Sequence, residues 1–179
     1  IVCNPESGVD VDYEEVGISI NAAYNQQSLI PKVVGKHAIY VGSAGQFTNL
    51  TSPYLATANS TMFMPTGYRV GLGNDLPDLF PSIPLNATEG LPAMVVLTSP
   101  VISHTNEVDV ELPALDTLAE NMELYYIAPV LQQASKYDVI LGITDQCSPE
   151  AKAQYLKNKD IVANMTAYFV LNLIKEKSI

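Results

Sequence analysis

Residues 139–151 read VILGITDQCSPEA. A mostly apolar run leads into Thr144 and Asp145, after which Ser148 and Pro149 turn the chain into helix-like sequence. The pattern predicts a buried strand with a carboxylate at its mouth. There apolar backbone partly shields the group from water, and desolvation raises its pKa because the charged form loses most on leaving water. Asp145 is therefore a candidate acid; the open alternative is a turn or helix-cap carboxylate ahead of Pro149.

Working outward, Ile161, Met165, Tyr168, Phe169 and Ile174 fall near helical spacing downstream and predict a packing helix, whose terminal lysines complement the negative end of the helix dipole. Upstream, residues 116–136 predict a short extended piece, then a helix from about Glu123 that Pro129 should kink. Residues 94–100, MVVLTSP, predict a buried strand. Residues 37–47, HAIYVGSAGQF, predict a strand from His37 to Val41, followed by Gly42, Ser43, Ala44 and Gly45, either a tight turn or a place where backbone approaches a ligand closely. Nearer the start, residues 21–30 predict a short helix capped by Asn21 and ended by Pro31. Alternation from Val9 to Ile20 predicts a strand, as does Ile1–Cys3. Residues 54–65 predict one or two strands, and residues 66–93, rich in proline and glycine, a long loop or flap. Strands alternating with helices predict one α/β domain over residues 1–179, with ligands at the carboxyl ends of strands. Ser43–Gly45, Thr98–Pro100 and Thr144–Asp145 stand at such ends.

Composition narrows the function. The chain has 179 residues, 47% hydrophobic content and a net charge of −10, with a mean hydropathy of +0.14. These values fit a globular protein and oppose binding to nucleic acid or an anionic membrane surface. No apolar run reaches the roughly 18 residues of a membrane span. Cys3 and Cys147 lack metal or redox spacing and read as reduced thiols of a cytoplasmic protein. The first residues show no basic, then apolar, secretory pattern. On that reading the four N-x-T sequons at Asn49, Asn59, Asn86 and Asn164 are chance occurrences.

Four segments in order resemble the purine nucleoside phosphorylase and nucleosidase superfamily, and most of all its methylthioadenosine/S-adenosylhomocysteine nucleosidase branch. EEVGISINAAYNQQSLIPK (14–32) resembles "GIGKVNAA", AIYVGSAGQF (38–47) resembles "VGSAGG", AENMELYYIA (119–128) resembles "VEMEAAAIA", and residues 140–171 resemble "IRxISDxA" with its following helices. The resemblance implies a phosphorylase/hydrolase-like three-layer fold, a central mixed sheet flanked by helices. It also implies cleavage of the N-glycosidic bond of a purine nucleoside, with a homodimer as the default assembly and no metal or organic cofactor.

In that family pattern Asp145 protonates N7 of the purine. Glu123 accepts hydrogen bonds from ribose hydroxyls, a task that suits a carboxylate, although a first-turn acid is the open alternative. Met122 packs on the sugar, and Ser43, Ala44 and Gly45 line base and sugar. Thr144 joins them at the strand end, and Cys147 lies beside the base as a small hydrophobe. Ile102 falls near a stacking phenylalanine of the nucleosidases, and Asn121 replaces a glutamate. The general base of the hydrolytic branch maps to Glu6. Phosphate is held by arginines in the phosphorylases; this chain has one, Arg69, and Leu141 stands where many relatives have another. Water is thus the expected nucleophile. Hydrolytic nucleosidase is the expected activity, against a non-catalytic nucleoside-binding or storage protein and a phosphate-dependent phosphorylase. His37, His104 and the acids Glu107, Asp109 and Glu111 suggest no separate chemistry.

Overall fold

Successive side chains of two long strands enter different cores, and that alternation sorts the molecule into layers. The computed structural model describes residues 14–64, 81–105, 114 and 117–177. In chain order its elements are α1 (Ile20–Val33), β1 (His37–Gln46), β2 (Tyr54–Phe63), β3 (Ile83–Pro84), β4 (Ala93–Thr98), β5 (Leu118–Glu120), α2 (Leu124–Leu131), β6 (Lys136–Gln146) and α3 (Ala151–Lys177). Tyr40 and Ala44 of β1 join Val139, Leu141 and Ile143 of β6 in a core with Ala22 and Leu29 of α1 and Leu124, Ile127 and Leu131 of α2. Ile39, Val41 and Ile140 face the other way, against Val170 and Leu173 of α3. The layers are therefore α1 with α2, a mixed sheet, and α3.

The sheet runs β3-β2-β4-β5-β1-β6. β1 and β6 are parallel, whereas β5 is antiparallel to β1 and parallel to β4. The end of β4 therefore reaches Thr98 from the direction opposite to β1 and β6, as a mixed sheet allows. β2 returns to pair with β6 through Tyr54–Ile143, Leu55–Gly142 and Ala56–Leu141, which closes the sheet on itself. Beside that closure Thr88 Oγ1 accepts from the Val139 N–H at 3.0 Å and faces the Val139 carbonyl at 3.2 Å, standing where a neighbouring backbone would. At Gly142 the helix α3 lies on bare backbone: a Cβ there would sit 1.9 Å from Val162 Cγ1.

Several local expectations change. The described part of the predicted 9–20 strand is irregular, because Gly17 (φ 87°) and Ser19 (φ 54°) leave the extended region; α1 then starts at Ile20 with Asn21 inside it. Pro31 lies in the last turn of α1 instead of ending it, and Val34 N–H closes the helix on the Ile30 carbonyl. β1 continues through Gly42–Gly45 without a turn. The buried stripe of α3 is Asn158, Val162, Thr166, Val170 and Leu173, while Ile161 and Tyr168 are exposed. Apolarity alone misses that stripe, since Asn158 is buried with its Nδ2 donating to the Thr144 carbonyl at 2.8 Å. Ile1–Cys3, Glu6, Arg69 and residues 106–113 lie outside the described residues. Among the described residues no helix is long and apolar enough to cross a membrane.

Candidate active site

The parallel ladder between β1 and β6 shifts register once, between Ala44 and Gly45, where the partner jumps from Ile143 to Asp145. Thr144 is the extra residue of this bulge, a device that re-aims neighbouring side chains. The Asp145 carboxylate comes to rest over Gly45, where a Cβ would meet Oδ2 at 2.8 Å and Cys147 Sγ at 3.2 Å. Thr144, itself buried, donates its hydroxyl to Asp145 Oδ1 at 2.5 Å. Burial pushes the Asp145 pKa up and the Thr144 hydrogen bond pulls it partly back, leaving it raised. Cys147 packs with Phe47, Leu97 and Leu118 as a small hydrophobe.

A second carboxylate stands on the other side of the same β1 segment. Glu123, just before α2, accepts from the Ser19 N–H at 3.0 Å on Oε1 and from Asn121 Nδ2 at 3.2 Å on Oε2. Burial raises its pKa more than these two donors lower it. Asn121 is 2% exposed. Its Nδ2 also donates to the Ser43 carbonyl at 2.8 Å, while its Oδ1 accepts from the N–H groups of Glu123 and Leu124 at 3.0 and 2.7 Å and from the Tyr40 hydroxyl at 3.2 Å. Every donor and acceptor of Asn121 is thus spent on the protein: it caps the start of α2 and aims Glu123. Burial and the nearby Glu123 charge keep the Tyr40 phenol protonated. Gly42 makes room for this arrangement, since a Cβ there would lie 2.9 Å from the Tyr40 hydroxyl and 3.1 Å from Asn121 Nδ2.

The loop after β4 completes the surroundings. Ser19 Oγ donates to the Pro100 carbonyl at 3.0 Å, and the buried Glu120 carboxylate accepts from the Ser103 N–H at 2.8 Å and from the Ser103 hydroxyl. Ser19 holds φ 54° and ψ −129°, a conformation that costs a non-glycine residue of order 1–3 kcal/mol and is sustained only where the surroundings over-determine it. Sequence reasoning missed Ser19, Tyr40 and Glu120, whose roles depend on contacts between distant segments. Among the expected residues, Ser43, Ala44, Gly45, Asn121, Glu123, Thr144, Asp145 and Cys147 lie around one stretch of β1, with Met122 half-buried beside Glu123. Ile102 instead points to solvent, 54% exposed.

A cavity of about 1070 Å³ lies elsewhere, at the amino end of β6 beside Lys136, Tyr137 and Asp138, and includes none of these residues. His37 Nε2 and Asp138 Oδ2 are 2.6 Å apart there and tie the amino ends of β1 and β6 together. Among the described residues no group of three His, Cys, Asp or Glu side chains could hold a metal ion.

No family model and no curated protein matches the sequence. The fold, by contrast, is similar to that of solved structures. The MTAN of Chlamydia trachomatis is 16% identical with a TM-score of 0.61, covering 84% of this chain and 71% of its own. The Helicobacter pylori MTAN-D198N mutant, solved with 5'-methylthioadenosine in its active site, is 14% identical with a TM-score of 0.64, over 89% of this chain and 78% of that one. A futalosine hydrolase mutant of the same organism is 17% identical with a TM-score of 0.67, over 89% and 77%. The chain therefore shares the fold of these MTAN and futalosine hydrolase structures.

Proposed function

We propose that this chain, built on the nucleosidase fold, hydrolyses the N-glycosidic bond of purine nucleosides. One observation carries the reading: a carboxyl whose pKa is raised by burial lies on bare backbone at the carboxyl end of β6, and a second shielded carboxylate stands across the same β1 segment. As the bond between sugar and base breaks, negative charge grows on the base and positive charge on the sugar, so an acid is wanted at a ring nitrogen and a carboxylate at the ribose. Asp145 would deliver its proton to N7, a contribution typically of about 10²- to 10⁴-fold. Thr144 would hold that carboxyl in place. Glu123 would accept the ribose hydroxyls, with Asn121 as its positioning residue, while Met122 and the Ser43–Gly45 segment line the sugar and base. Water would attack the anomeric carbon, with Glu6 proposed as its base. No metal or organic cofactor enters this chemistry.

A homodimer goes with the proposal. Ile18, Ile20 and Tyr24 are exposed on one side of the Ser19–Pro100 hydrogen bond, and Val101 and Ile102 on the other. These neighbouring apolar side chains, next to the site, form the kind of patch that a second copy would cover.

The test is release of free base from methylthioadenosine, adenosine or inosine by the purified chain. Base release that is independent of phosphate supports the proposal. Release only with added phosphate would make the chain a phosphorylase, and binding without release would make it a binding or storage protein.

A further inference from the structure

Four of the chain's 12 asparagines stand two residues before a threonine, where 11 threonines in 179 residues would put fewer than one by chance. The four are Asn49, Asn59, Asn86 and Asn164, and no proline occupies the middle or following position of any of them. The structure adds an observation that the pattern does not contain: all four side chains are exposed. They reach the surface by different routes. Asn49 lies in the turn after β1, and Asn86 follows β3 on the rim of the cavity at the amino end of β6. Asn164 is on the outer face of α3, between the buried Val162 and Thr166. Asn59 sits in the middle of β2, where a side chain could have been covered, but the β2–β4 register skips it between Ala58 and Ser60, which leaves it as a bulge residue.

None of the four carboxamide nitrogens donates a hydrogen bond within the described residues. Of the five described asparagines outside any sequon, Asn25, Asn121 and Asn158 each spend Nδ2 on a backbone carbonyl, and Asn21 and Asn172 do not. We infer that this chain is an N-glycoprotein carrying glycans on Asn49, Asn59, Asn86 and Asn164. In the modification, Asn Nδ2 forms a bond to the anomeric carbon of an oligosaccharide carried on a lipid diphosphate. The bond from that carbon to the diphosphate oxygen breaks, the lipid diphosphate leaves with the electron pair, and the amide proton passes to a base of the transferase. Thr61, Thr88 and Thr166 are buried in the folded chain. A transferase that must reach the threonine hydroxyl therefore acts at those three sites before folding, during entry into the secretory route. The cytoplasmic residence expected from the two cysteines is incompatible with this chemistry.

The experiment takes the protein from its own cells and treats it with peptide N-glycosidase in heavy-oxygen water, then maps the peptides by mass spectrometry. The expected result is conversion of the four sequon asparagines to heavy-labelled aspartate and a gain in gel mobility. Unmodified asparagine at three or more of the four positions overturns the inference. Site assignment uses N49Q, N59Q, N86Q and N164Q, all exposed substitutions, each expected to remove one mobility step. T51A, at the exposed threonine, should remove the same step as N49Q. A mobility unchanged by all five variants also overturns it. Neither outcome depends on whether the chain cleaves nucleosides.

Discussion

The backbone N–H of Ser19 donates to Oε1 of Glu123 at 3.0 Å, across 104 residues of sequence. The same serine closes on the Pro100 carbonyl through its hydroxyl, so one strained residue joins the start of α1, the loop after β4 and the proposed ribose carboxylate.

Substituting Ser19 separates its two contributions. Ser19→Ala loses the hydroxyl bond and keeps the strain, and should lower stability by about 1 kcal/mol. Ser19→Gly loses the same bond but removes a penalty of about 1–3 kcal/mol, so it should be as stable as the wild type or more so. Glycine keeps the N–H to Glu123, and its KM should stay near the parent value. Thermal unfolding of both variants decides the matter; a Ser19→Gly less stable than Ser19→Ala would refute the strain argument.

Asp145→Asn should cost about 10²- to 10⁴-fold in kcat while raising stability at neutral pH. The Asp145 pKa is raised in the folded state. Its favourable contribution is then fully present below the unfolded value near ~3.9 and is lost as pH rises through the higher folded value. Asparagine carries no such loss. Unfolding temperatures of the two proteins should therefore differ at pH 7 and converge below about pH 4. In the wild type, kcat/KM should fall on the alkaline side of the same raised pKa.

At Gly45 a methyl group would stand 2.8 Å from Asp145 Oδ2. Gly45→Ala should displace the carboxylate, with a loss of about 10²-fold in kcat for a shift on the order of 1 Å. Circular dichroism should show an intact fold, and a KM that moves less than kcat would place the damage at the acid.

Asn121→Ala should act on Glu123 and on folding together. It leaves the buried Tyr40 hydroxyl and the first N–H groups of α2 without their acceptor. The expected cost is about 1–3 kcal/mol for the buried group, and KM should rise because Glu123 loses a donor that aims it. Chemical denaturation and steady-state kinetics measure the two effects separately.

Gly142→Ala should destabilise the chain by about 1–3 kcal/mol through overpacking, since its Cβ would fall 1.9 Å from Val162 Cγ1. Val162→Ala in the same chain should recover part of that loss. Additive effects in the double variant would show that the two residues do not meet.

How much of this was legible in the sequence depends on the range of the interaction. The strand before Asp145 and the helix after Pro149 stand where the apolar runs of β6 and α3 predict them, because burial on both faces leaves a continuous signal. The small residues of GSAG predict a tight turn or a close approach to a ligand; the strand runs straight through them, and the groups lying against Gly42 and Gly45 are the chain's own Tyr40, Asn121 and Asp145. Ser19 was not legible. Its strain and both of its bonds come from partners 81 and 104 residues away, and a serine in the segment VGISIN gives no local sign of either. The face of α3 was misread by one position for a related reason: Asn158 is buried because the Thr144 carbonyl needs a donor, which hydropathy does not register.

The closure of β2 on β6 has a consequence for the protein in concentrated solution. An open sheet offers neighbouring molecules a row of unused amide and carbonyl groups, a template for cross-strand stacking. Here the ladder at Leu55 and Gly142 occupies one such row, and the Thr88 hydroxyl blocks its extension at Val139. Thr88→Val, which keeps the shape and removes the hydroxyl, would leave the Val139 amide and carbonyl as unpaired groups on that flank, open to a neighbouring strand.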